Sequence, residues 1–85
     1  MNIETIQGMI NNSTWTNPEN KHVYQFCNGR DLILDGKDHV SYSLNYSENK
    51  VVLQLGPKKK YFIEYINDFI LSLYNNEEKF VIMPE

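Results

Sequence analysis

The chain has 85 residues, 41% of them apolar and 13% aromatic, enough for one domain with one well-filled core and too apolar for disorder. Its formal charge of -3 argues against general affinity for nucleic acid or anionic membrane. No apolar run approaches the ~20 residues that span a bilayer, and a single cysteine, Cys27, excludes an internal disulfide.

In chain order, Ile3, Ile6 and Ile10 fall at helical spacing. Asn2 stands as N-cap, Glu4 suits the dipole of the first turn, and Asn11-Asn12 end the segment. A short helix is therefore expected within residues 1–12. The same stretch has no basic region followed by a long apolar core, so it does not read as a secretory signal. Together with the lone cysteine, this leads us to expect a soluble cytoplasmic protein, or a mature domain after loss of a leader.

Beyond residue 12 turn-forming clusters recur about every 8 to 12 residues: NPEN, NGR, DGKD, SEN, GPKK, ND and NNEE. The segments between them alternate. Val40, Tyr42, Leu44 and Tyr46 share one face, with His39, Ser41, Ser43, Asn45 and Ser47 on the other. Val51, Leu53 and Leu55 repeat the pattern, as do Tyr24 with Phe26 and Leu32 with Leu34. With a strand around Trp15 and a final one at KFVIM, about eight short strands result.

Residues 58–80, KKKYFIEYINDFILSLYNNEEKF, admit two readings. As one helix, Lys60, Glu64, Asn67 and Asn75 form a polar stripe, but Leu71 falls in its middle. The segment is also rich in Ile, Tyr and Phe, which favour pleated sheet. As a hairpin, Tyr61, Ile63 and Tyr65 share a face with Phe69, Leu71 and Leu73 only if the turn is odd in length. A three-residue loop from Ile66 to Asp68, with Asn or Asp supplying a left-handed residue, meets that condition and pairs Tyr65 with Phe69. The hairpin is the better reading. The expected fold is mainly β: a short helix over residues 1–12, then short antiparallel strands over residues 13–85 arranged as a meander, sandwich or barrel.

The spacing of Tyr61, Ile63, Ile66, Leu71, Leu73, Phe80 and Ile82 resembles the last three strands of small lipocalin-like proteins of the calycin type. The helix at Ile3 to Ile10 followed by Trp15 is similar to the opening of those proteins, although Ser13 stands where their motif has glycine. The resemblance implies an antiparallel up-and-down barrel or strongly curled meander of about eight strands and, as an expectation, carriage of a small molecule.

The alternation places nine of the eleven aromatic rings inward: Trp15, Tyr24, Phe26, Tyr42, Tyr46, Tyr61, Tyr65, Phe69 and Phe80. That bulk favours a filled core. Five of these rings are tyrosines, however, and no Asp, Glu, Asn or Gln shares their face to accept from the hydroxyls. A small apolar or amphipathic ligand would meet that need, with Trp15, Tyr24, Phe26, Tyr42, Tyr61 and Ile63 as candidate ligand-binding residues. A competing reading puts function outside. Phe62, Ile70, Tyr74, Val81 and Met83 point outward from three consecutive strands and make a candidate interface, with a homo-oligomer expected.

Catalytic chemistry is not expected. His22 and His39 have no spacing that pairs them with Cys27 as base and nucleophile, and Asp35-Gly36-Lys37-Asp38 reads as a turn before it reads as a cation site. Gly29 and Gly36 precede no helix, so neither forms a phosphate loop, and no metal or other cofactor is expected. Lys58-Lys59-Lys60 beside Tyr61 and Phe62 is similar to the basic loops of Sm-like and oligonucleotide-binding barrels. Against the negative net charge it reads as a solvated turn, and neither nucleic acid nor membrane is an expected partner.

Overall fold

A computed structural model describes residues 2–85. The helix α1 spans Ile3–Ile10 and is followed by eight strands: β1 Thr14–Thr16, β2 Val23–Cys27, β3 Asp31–Leu34, β4 Asp38–Ser47, β5 Lys50–Leu55, β6 Lys59–Asn67, β7 Ile70–Tyr74 and β8 Lys79–Pro84. Each strand pairs antiparallel with the next, and β8 returns to β1, so the meander closes as a barrel. The seam is narrow, with two paired positions, Trp15 with Pro84 and Thr16 with Met83. No helix among the described residues is long and apolar enough to cross a membrane.

The helix forms where its caps dictate. The Asn2 side chain accepts from the Thr5 amide at 2.8 Å, and the Asn11 amide donates to the Gln7 carbonyl. Its apolar stripe turns Ile6 and Ile10 into the core. A meander sends alternate turns to opposite ends of a barrel, and α1 lies at the end that carries the β2–β3, β4–β5 and β6–β7 turns. Three bonds hold it there. The Ile3 amide donates to the Tyr46 hydroxyl, Gln7 Nε2 to the Tyr42 hydroxyl, and the Asn28 amide to Asn12 Oδ1.

Turn chemistry explains the register. Glu48 and Asn49 both have positive φ and join β4 to β5 through a two-residue turn whose twist matches the strands. Asn28-Gly29 and Asp35-Gly36 likewise place left-handed residues in the three-residue links around β3. At the end opposite α1, the Asp35 carboxylate accepts from the Val23 amide at 2.8 Å and lies 2.8 Å from His22 Nδ1. The amide bond, more than the imidazole, lowers the Asp35 pKa.

Residues 58–80 are two strands, as the hairpin reading requires. The odd residue is placed differently from expectation. A bulge at Ile66 supplies it inside β6, so Tyr65 pairs with Leu71, Asn67 pairs with Ile70, and Asp68-Phe69 form the turn. No residue from 66 to 69 is left-handed. Phe69 consequently leaves the core face and sits on the hairpin tip, 69% exposed. Two further rings expected inside are also outside: Tyr46, 56% exposed, and Tyr65, 37% exposed, lie past the helix-bearing rim on strands longer than the barrel wall.

Candidate functional site

The barrel interior is closed by its own side chains. Trp15, Tyr24, Phe26, Tyr42, Tyr61 and Ile63, the candidate ligand-binding residues, are all buried in one cluster with Ile6, Ile10, Leu53, Leu71, Leu73 and Ile82. Phe26 meets Tyr42 edge-on at 5.1 Å between centroids, and Phe80 stacks with Tyr24 at 6.2 Å and meets Tyr61 edge-on at 5.4 Å.

Four tyrosine hydroxyls, those of Tyr42, Tyr46, Tyr61 and Tyr65, find partners in the chain itself, and those partners lie outside the strand pattern. Gln7, on the helix, donates to Tyr42 at 3.3 Å; Glu78, in the β7–β8 turn, accepts from Tyr61 at 3.3 Å. Tyr46 accepts from the Ile3 amide, and Tyr65 donates to Asp68. Burial holds Tyr24 and Tyr61 in their neutral form, with pKa values pushed up to about 12, and the Glu78 carboxylate near both adds to this. Sequence alternation could not reveal these partners, because loop and helix residues carry them.

The outer face is more eventful. Across the strands one row runs Asn45, Val52, Phe62, Tyr74, Lys79 in register. The Phe62 and Tyr74 rings lie 5.5 Å apart, and the Lys50 ammonium sits 5.3 Å from the first centroid and 5.9 Å from the second. Lys79 approaches Tyr74 at 5.9 Å. Phe62, Ile70, Tyr74, Val81 and Met83, the candidate interface residues, are each half-buried on the neighbouring strands β6, β7 and β8. Ser72, outward between Leu71 and Leu73, is buried, and its hydroxyl has no hydrogen-bond partner among the described residues.

A groove of about 750 Å³ opens on this side of the barrel. Val52 and Phe62, with the Tyr46 and Tyr61 rings, give it an apolar floor. Lys58, Lys59 and Lys60 wall it from the β5–β6 turn, Asn45 and Gln54 add amides, and Asn75, Asn76 and Glu77 close it from the β7–β8 turn. None of the five lysines at 50, 58, 59, 60 and 79 belongs to an ion pair among the described residues, where His22 with Asp35 is the pair found. Sequence reading missed this groove. The available signal was the unbroken Val51-Val52-Leu53 run, which marks a strand covered on both faces rather than one.

Among the described residues no three His, Cys, Asp or Glu side chains converge on a point where a cation would sit. Comparison with known proteins finds no family model, no curated protein and no solved structure that matches this chain.

Proposed function

We propose that the protein is a non-enzymatic binding module whose recognition surface is the outer groove over β4, β5 and β6. The observation that carries this reading is the contrast between inside and outside. The core is packed and the Tyr42 and Tyr61 hydroxyls are supplied from within the chain, while a large concavity lies on the outer wall. Its volume is of the size that takes a small molecule or the side chains of a docking segment. An apolar floor under a rim of unpaired lysines suits an occupant that is both apolar and anionic.

A second reading is lipocalin-like carriage of a small apolar molecule in the barrel, through Tyr24 and Tyr61. What favours it is that both hydroxyls stay protonated donors at the same end of the barrel, beside Glu78.

The two readings separate with one probe. Titration with an anilinonaphthalene sulfonate, an aromatic anion, is expected to shift the backbone amide resonances of Val52, Lys60 and Phe62. Phe62→Ser should weaken the binding about tenfold, the loss of one buried ring face. Shifts confined to Trp15, Tyr24 and Phe26 would transfer the function to the interior.

A further inference from the structure

We infer that the occupant of this groove is the β6–β7 hairpin tip of a second copy of the same chain, an inference that rests on the groove being the binding surface. The tip pairs exposed apolar side chains with an anion. Phe69 is the most exposed of the large apolar side chains, Ile66 beside it is 48% exposed, and Asp68 between them is an anion. Toward the same end lie Glu48 in the β4–β5 turn and Glu4 in the first turn of α1, with Arg30 and Lys50 as the cations there. The groove offers Val52 and Phe62 for the ring and three cations, Lys58, Lys59 and Lys60, against the single carboxylate of Glu77.

The tip is also preorganised. The Asn67 side chain accepts from the Phe69 amide at 2.8 Å, and the Tyr65 hydroxyl donates to Asp68, so little freedom is lost on docking.

A molecule cannot fill its own groove. Lys60 and Ile66 stand at opposite ends of the continuous strand β6, about 20 Å apart at the rise of an extended chain. The contact therefore joins two different surfaces, and each docking leaves one tip and one groove open. Such heterologous contacts propagate into rings or open filaments rather than stopping at a two-fold dimer. The lysines are solvent-facing, so the assembly weakens as salt rises.

The test uses the full chain and two variants, each lacking one partner surface. Phe69→Ser removes the tip and keeps the groove; Lys58→Glu with Lys60→Glu reverses the groove rim and keeps the tip. All altered positions are exposed, so each variant is expected to keep the circular dichroism spectrum of the unaltered barrel. In sedimentation the unaltered protein is expected to gain mass with concentration, each variant alone to stay monomeric, and an equimolar mixture to stop at one of each. A monomeric unaltered protein at every concentration, assembly that survives Phe69→Ser, or a mixture that stays apart would each overturn the inference. The sulfonate probe on Phe69→Ser keeps the two claims distinct. Shifts at Val52 and Phe62 in a chain that never associates preserve the groove and assign it to another occupant. No shifts there remove both.

Discussion

Ser72 is the residue whose position costs most for what it contributes. Its hydroxyl is sealed between the rows of Glu64 and Val81 and bonds to nothing among the described residues. A buried hydroxyl without a partner forfeits its hydration with no return, roughly 1 to 3 kcal/mol. Ser72→Ala is therefore expected to stabilise the fold by about 1 kcal/mol, read as a higher urea midpoint at unchanged slope. Ser13 shows the opposite case. Its hydroxyl accepts from the Trp15 indole at 2.9 Å and donates to the Ile10 carbonyl at 2.6 Å, tying the end of α1 to the first strand. That polar link locks the single tryptophan in place.

At the scale of elements, α1 is a plug as much as a helix. Eight residues are too few to persist alone in water, so its stability comes from the face it buries. Ile6 and Ile10 fill the barrel end, and Ile6→Ala is expected to cost about 2 to 5 kcal/mol by guanidinium denaturation. The strands show how far a sequence carries. Alternation was sufficient to place β4 and β5, and recurring turn clusters were sufficient to count eight strands. The parity of the β6–β7 hairpin was legible too, because a slip by one residue would have turned Ile63 and Leu73 to solvent. Whether the odd residue lay in the loop or in a bulge was not legible, since both preserve parity. Only packing against the neighbouring strands selects the bulge, and with it the projection of Phe69. The groove was hidden for a related reason: it joins β4, β5, β6 and the β7–β8 turn, segments brought together by curvature rather than by spacing in the chain.

The molecule as a whole has a built-in response to alkali. Tyr24 and Tyr61 ionise at about 12 when folded, against about 10 for an unfolded tyrosine. Between those values the unfolded chain releases protons that the folded chain retains, so stability is complete below about pH 10 and falls as pH rises toward 12. Burial raises Tyr42 as well, so tyrosinate absorbance from Tyr24, Tyr42 and Tyr61 is expected to appear with unfolding rather than before it. Ionisation of these three rings while the fold is still intact would contradict the packed core.

Closure also determines how this chain comes apart. The circle of strands is fastened by two facing residue pairs, and Trp15 occupies one of them. A tear along that line turns a ring without margins into a ribbon with two raw borders, each ready to recruit a foreign strand. The only indole in the protein stands on the tear, so its emission signals the parting of β1 from β8 while the rest of the wall still holds.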